Sequence, residues 1–438
     1  MGSCFKILCI VVVAHITYAS RVTANEEDLG SLQLVHIIFR HGDRTPVEPY
    51  PNDPYKNVSL WPVGWGQLTN VGKRQHYHLG KFFRRRYADF LSTKYLKEEV
   101  YVRSTDVDRT LMSVESNLAG LYPPVENQVW EPGMTWQPIP VHTVPESLDE
   151  VLSAKKPCPL YDEMVKKVKQ SPEIKMKNEE NKALYQYLTE KTGKYVHDLF
   201  SLENVYNTLF IEETNNFTLP EWTKSVYPDK MVSSAALSFS IAAYDKDLQR
   251  LKMGPLMGEI LKHMKRKVEG TSAHPKRKLF IYSGHDTTIA NVLNTLGLFN
   301  PRFCPPYAST IAFELYLRKN GVYYVSTLYK NGTQREDFVP LTIPGCLQEC
   351  PLENFVELMK PIIPSDWARE CERGGYYSTS RLFATSGALP LPDLALIALI
   401  TSGTTALILT IAIFAVMYYW CRRRESHNWY FRLNSDDT

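Results

Sequence analysis

Residues 32–46 read LQLVHIIFRHGDRTP. The first part, Leu32 to Phe39, is mostly apolar and rich in β-branched side chains, and it breaks abruptly into Arg40-His41-Gly42-Asp43-Arg44. Two later segments share this design. Val100 to Val102 is a short strand candidate that ends in Arg103-Ser104-Thr105-Asp106 and is followed by a helical pattern through Leu118. Leu279 to Tyr282 ends in Ser283-Gly284-His285-Asp286-Thr287 and is followed by a helix through Leu296. Near-continuous apolar strands alternating with helices predict an α/β fold, a mostly parallel sheet with helices on both faces. In such sheets ligands bind beyond the carboxyl ends of the strands. All three candidates carry charge there, so fold logic brings Arg40, His41, Arg44, Arg103, His285 and Asp286 to one edge although they lie far apart along the chain.

The composition narrows the class. The chain has 438 residues, 22% charged and 44% hydrophobic, which is too apolar for a disordered protein. A net charge of +3 over this length is no footprint for a polyanion, and nucleic-acid binding is not expected. The basic runs Arg84-Arg85-Arg86 and Lys276-Arg277-Lys278 read as solvated faces. Residues 131–230 are rich in Lys and Glu and predict a mainly helical insertion between core segments of about 30–130 and 231–345. Thr69 reads as the N-cap of a helix over Asn70 to Phe90, with Leu79, Phe83, Tyr87 and Phe90 facing the core and His76 and His78 on its surface.

Both ends predict an extracytosolic address. Residues 1–24 have the pattern of a secretory signal, with Lys6 before an apolar stretch and a small-residue cleavage site at Val22-Thr23-Ala24 or Thr17-Tyr18-Ala19. Residues 394–420 carry no charge and would reach about 40 Å as a helix, enough to span a bilayer. Tyr418, Tyr419 and Trp420 then precede Arg422-Arg423-Arg424, which the positive-inside rule assigns to the cytosol. The expectation is a single-pass type I membrane protein in the lumen of an endosome or lysosome or at the cell surface. Its domain is 25–372, its stalk 373–393 and its tail 421–438. In the tail, Tyr430 and Leu433 have the spacing of a tyrosine-based sorting signal for clathrin adaptors. Sequons stand at Asn57, Asn216 and Asn331. Of the 8 cysteines, two leave with the signal and Cys421 borders the membrane. Cys346 and Cys350 lie in a Pro/Gly-bounded loop suited to a small disulfide ring, while Cys158, Cys304 and Cys371 leave one odd thiol.

Three arginines beside two histidines and one aspartate suit a tetrahedral dianion, because guanidinium forks donate paired hydrogen bonds to phosphate oxygens. Phosphoryl transfer needs positioning and charge neutralisation above all, and these groups are expected to supply both without a metal or other cofactor. The run Arg40-His41-Gly42-Asp43-Arg44-Thr45-Pro46 resembles the signature of the histidine acid phosphatases. The likeness extends through Tyr101–Asp106, Trp136–His142 and Tyr282–Thr288 and covers most of residues 32–372. It is nearest the membrane-anchored lysosomal and prostatic acid phosphatase group. The resemblance implies hydrolysis of phosphate monoesters at acid pH through a phosphohistidine on His41. Arg40, Arg44, Arg103 and His285 would hold the phosphoryl oxygens, and Asp286 would act as general acid and then base. It further implies inhibition by tartrate, often a homodimer, and the disulfides Cys158–Cys371 and Cys346–Cys350. A further cysteine pair of vertebrate relatives falls at Ile211 and Thr310 and is missing here, and Cys304 has no counterpart. Asp43, Asp106 and Asp108 read as partners of arginines or as helix caps.

Overall fold

The computed structural model describes residues 30–333 and 336–372. The signal, stalk, membrane span and tail, with Tyr430 and Leu433, lie outside the described residues. Among the described residues no helix is long and apolar enough to cross a membrane.

The first strand, β1 (Ser31–Arg40), sends alternate side chains to two sides. Val35, Ile37 and Phe39 pack with α1 (Asn70–Arg86) and α2 (Asp108–Leu121), while Leu34 and Ile38 pack with α9 (Gly254–Val268) and α10 (Asp286–Thr295). A strand covered on both faces needs apolar side chains at nearly every position, which is why this run lacks the polar alternation of a half-exposed strand. β2 (Val100–Ser104) and β3 (Leu279–Gly284) complete the parallel part, in the order β2, β3, β1.

The remaining sheet corrects the sequence expectation. Beyond β1 come β4 (Thr310–Leu317), β5 (Tyr323–Lys330) and β6 (Val339–Leu341), with β7 (Glu349–Pro351) also on β5, and every one of these pairings is antiparallel. The seven-stranded sheet is therefore mixed, not mostly parallel. The cause is local. The link from β4 to β5 is a tight turn closed by Gly321 at φ +79° and by the Arg318 amide donating to the Val322 carbonyl at 3.1 Å. A connection that short forces the second strand back along the first.

The helical insertion also has different limits from those expected. Residues 131–158 hold only one short 3₁₀ turn, Glu146–Leu148, and lie back along the sheet, where the His142 amide donates to Val102 at 3.0 Å. Pro132, Pro138, Pro140 and Pro145 deny this segment a helix. The helices run instead through α3 (Pro159–Lys169), α4 (Pro172–Glu180), α5 (Lys182–Thr192), α6 (Leu199–Thr214) and α7 (Asp229–Ile241), with α8 (Lys246–Lys252) leading back to α9. Two short helices, α11 (Leu352–Met359) and α12 (Trp367–Glu372), end the described chain. Cys158–Cys371 ties the start of the insertion to α12, Cys346–Cys350 closes a small ring, and Cys304 is unpaired.

His76 is a second correction. It is fully buried, not on the helix surface, and its Nε2–H donates to the Arg40 carbonyl at 3.0 Å. It stands one turn before Leu79 on the stripe that faces the sheet, so helical spacing alone places it inside. His78 is exposed as expected.

The insertion is fastened to the core by acid groups. Glu212 on α6 is wholly buried against Asp53, itself 2% exposed, and the Tyr50 hydroxyl lies beside them. Burial first, and then the charge of Asp53 and a hydrogen bond to it, push the Glu212 carboxyl upward, and burial raises Asp53 as well despite Lys56 nearby. With burial and a second carboxyl beside it, Glu212 is the group that keeps its proton in the folded chain. Because the folded state binds this proton more tightly than the unfolded chain, its stabilisation is complete below the ordinary glutamate value of 4.5 and is lost as pH rises above it. Thermal unfolding followed between pH 5 and 8 should show stability falling with pH, at a slope approaching about 1.4 kcal/mol per pH unit for one proton. Glu212→Gln, which carries its hydrogen permanently, should flatten that slope; an unchanged slope would refute a proton retained on Glu212.

Candidate active site

β1 and β3 run side by side with Arg40 opposite Gly284. The ladder continues one residue further, where the His41 amide donates to the Gly284 carbonyl at 3.0 Å. His41 and His285 are therefore neighbours, their ring centroids 5.7 Å apart and their planes at 73°. The loop after β1 rests on the first turn of α1 through two glycines: a Cβ on Gly42 would lie 2.5 Å from the Gly72 carbonyl oxygen. Asp43 anchors the same contact. Its carboxylate accepts the Thr69 hydroxyl, and the Thr69 oxygen in turn accepts the Gly72 amide at 3.1 Å and caps α1.

His41 is 1% exposed, with Nδ1 2.8 Å from the Gly42 carbonyl oxygen. A carbonyl only accepts, so Nδ1 carries the proton and the Nε2 lone pair is left for chemistry. Burial, followed by the charges of Arg40, Arg109, His285 and Arg44, holds this imidazole well below the ordinary histidine range. Both effects favour the uncharged ring.

Arg40 donates through Nη2 to Asp286 Oδ2 at 2.8 Å and through Nη1 to the Pro305 carbonyl, and its guanidinium lies 4.2 Å over the Tyr307 ring. Burial would raise the Asp286 carboxyl, but Arg40, then Arg44 and His285, outweigh it and hold Asp286 below the usual aspartate value. Arg44, 8% exposed, donates Nη1 to the Thr45 carbonyl at 3.1 Å and pairs with no carboxylate among the described residues.

Arg103 does not join this group, which corrects the sequence assignment. Its guanidinium is bound to Asp149 at 2.6 Å and lies 3.6 Å from Glu259. Asp149 in turn caps the 151–153 turn by accepting the amides of Val151, Leu152 and Ser153. The residue that enters the site is Arg109, in the first turn of α2, with Nη2 3.4 Å from His285 Nδ1. Burial first, then Arg44 and Arg40, bring its pKa down to about 10 against the pull of Asp286 and Glu146. The signal that would have found it is the helix itself: residues at the start of a helix that follows a strand point back at the strand's carboxyl end, as Asp286 does.

His285 completes the cluster. Arginine only donates, so Nδ1 accepts from Arg109 and the proton sits on Nε2, which donates to Thr105 Oγ1 at 3.0 Å. Burial, and after it the charge of Arg109, lowers its pKa strongly. A direct hydrogen bond from Nδ1 to an oxyanion therefore requires the ring to release Arg109 and gain a proton. The Nε–H donors of Arg40, Arg44 and Arg109 are buried without acceptors among the described residues. Three guanidinium groups, of which Arg40 alone is paired with a carboxylate among the described residues, present a surplus of positive charge that a phosphoryl dianion would neutralise.

The sequence reading also missed Glu203 of α6. It is 8% exposed, accepts from the Asn207 amide, and is pushed up to about 8 by burial first and then Asp286, against the pull of Arg44 and Arg40. It is a neutral acid at low pH. Tyr206 and Phe210 of the same helix, with Phe303, Cys304 and Tyr329, wall a cavity of about 520 Å³ beside Arg40.

The profile of the histidine phosphatase superfamily (branch 2) matches residues 31–330, which hold the whole cluster. The chain belongs to this family. Human prostatic acid phosphatase is 44% identical over 346 residues, 78% of this chain and 88% of that protein. The lysosomal acid phosphatase of Xenopus laevis is 41% identical over 366 residues, 82% of this chain and 84% of that protein. Among solved structures, Hafnia alvei phytase in complex with myo-inositol hexakis sulphate superposes with a TM-score of 0.59 at 19% identity, covering 78% of this chain and 98% of that one. That likeness is one of fold.

For this histidine phosphatase, the two arginines are separable by experiment. Arg109→Ala should lower kcat/KM on p-nitrophenyl phosphate by about 10²–10³, the usual cost of one donor to a developing oxyanion, with little change in thermal stability. Arg103→Ala should act on the fold, since it leaves the Asp149 carboxylate buried and unpaired at a cost of about 3–5 kcal/mol. Equal losses of turnover with an unaltered melting temperature in both variants would return Arg103 to the phosphoryl site.

Proposed function

We propose that this chain is an acid phosphatase that hydrolyses phosphate monoesters through a phosphohistidine on His41, with Asp286 as general acid and then general base. The observation that carries this reading is the His41 ring itself: buried, biased toward its uncharged form, its Nδ1 proton held by the Gly42 carbonyl, and surrounded by the guanidinium groups of Arg40, Arg44 and Arg109. Its Nε2 lone pair attacks phosphorus while the arginines, with His285 beside them, carry the charge of the phosphoryl oxygens. The bond from phosphorus to the leaving oxygen breaks with its electron pair, and that oxygen takes the proton of Asp286. Water then attacks phosphorus and gives a proton to the Asp286 carboxylate, and the P–N bond breaks with its electron pair returning to Nε2. Two easier steps replace one difficult one.

The Arg40–Asp286 pair explains how an ionised carboxylate becomes an acid. A phosphoryl dianion draws Arg40 to itself and sets a second negative charge near Asp286, and both effects raise the carboxyl's pKa. Acid medium then keeps it protonated for the leaving group.

The relatives are lysosomal and prostatic acid phosphatases, which agrees with an extracytosolic site of action. We infer a type I single-pass protein with signal 1–24 and span 394–420, sorted through Tyr430 and Leu433, glycosylated at Asn57, Asn216 and Asn331, and dimeric. Support comes from the exposure of Asn57 and Asn216 and from the two disulfides.

His41→Ala should abolish phosphate release from p-nitrophenyl phosphate and from an alkyl phosphate at pH 4–6. Asp286→Asn should lose about 10²–10⁴ on the alkyl ester but much less on the nitrophenyl ester, whose leaving group needs no proton. Phosphate release by the wild type from neither ester at these pH values would end the reading.

A further inference from the structure

Lys276-Arg277-Lys278 reads as a solvated run, and Lys276 is exposed, but Arg277 is 9% exposed. Its guanidinium lies 5.7 Å from the Tyr101 ring centre and 5.9 Å from that of Phe280. Among the described residues its side chain makes no hydrogen bond and no ion pair, and its Nε is buried without an acceptor. A buried arginine is ordinarily paired or fully hydrogen-bonded.

Arg277 lines a pocket of about 210 Å³ together with Arg266, Lys267, His263 and His274. The one carboxylate there, Glu259, is already engaged by the Tyr282 hydroxyl at 2.8 Å and by Arg103 at 3.6 Å. Positive charge is concentrated enough that, after burial, Lys262, Arg266 and Arg277 together bring the His263 pKa down to about 4. Lys267 donates to the carbonyls of Pro275 and Arg277, which holds the 271–277 loop over the pocket. The wall residues Leu34, Tyr101 and Phe280 lie near the starts of β1, β2 and β3. His41 follows the other end of β1, roughly 20 Å from Leu34 at about 3.3 Å per residue, and no residue lines both this pocket and the cavity beside Arg40.

We propose that this pocket is a second oxyanion site, which takes a phosphate or sulfate group with Arg277 as its deepest contact and Arg266 and Lys267 at its rim. A tetrahedral oxyanion matches the donors left over: the fork of Arg277 supplies paired N–H groups, and the two rim cations neutralise the remaining charge. The aromatic rings on either side fix the plane of the fork in advance.

Equilibrium dialysis of the full chain in detergent with labelled inorganic sulfate tests this. Two sulfates should bind per chain in the wild type and one in Arg277→Leu, which should continue to hydrolyse p-nitrophenyl phosphate. Arg266→Glu, an exposed charge reversal that needs no repacking, should weaken the second sulfate at least tenfold. A single sulfate in the wild type, or a second site of unchanged affinity in either variant, would overturn the proposal. Competition by glucose 6-sulfate separates the sources: displacement of the second sulfate assigns the site to an oxyanion carried on a larger molecule, and failure to displace it assigns the site to the free anion. Both results support an oxyanion pocket.

Discussion

The alignment of Arg40 with Gly284 across the β1–β3 ladder is the constraint from which the site follows. Parallel pairing brings two strand ends to the same level, and the polypeptide leaves both in the same direction. The residue after each end is a histidine, and the residue after the second histidine begins α10, so an imidazole, a second imidazole and a helix-starting carboxylate meet without any long side chain reaching for them. A shift of one register position would turn His41 to the other face of the sheet. The apolar faces of β1 forbid such a slip, because they would have to exchange places in two different cores.

Charge then does what the backbone geometry permits. Crowding three guanidinium groups around a buried imidazole is unfavourable by itself, and among the described residues the one carboxylate paired with any of them is Asp286, on Arg40. Burial, and after it this unbalanced positive charge, biases His41 toward its neutral form, and a bound dianion would offset the crowding. Glu203, raised by burial and by Asp286, is neutral at low pH, so the insertion places an acid group beside the site without adding negative charge, and Glu212 on the same helix is raised likewise where the insertion meets Asp53. The same helix, α6, carries both features, which links the docking of the insertion to the environment of the site.

Much of this was legible in the residues. The apolar run ending in Arg40-His41, the strand leading into His285-Asp286 and the Cys346–Cys350 ring are where the residues put them, and Cys158–Cys371 is the pairing that the family resemblance implies. What misled were positions where two local readings compete. Arg103 stands at a strand tip just as Arg40 does, yet Asp149, brought in by a proline-rich loop, takes its guanidinium. Arg109 carries no strand-tip signature of its own; its only mark is its place in the first turn of the helix that follows β2. The sheet reads as mostly parallel because its three strands with chemical signatures are the parallel ones, while β4 to β7 carry none.

The sequence alone therefore determined which residue types are available and where strands stop, because burial demands apolar side chains and the chemistry demands ionisable ones, and both are written locally. Tertiary structure decided which cation faces the imidazole and which serves a neighbouring carboxylate. That choice depends on distances between segments remote in the chain, and electrostatic energy falls with distance in space and not with separation in sequence.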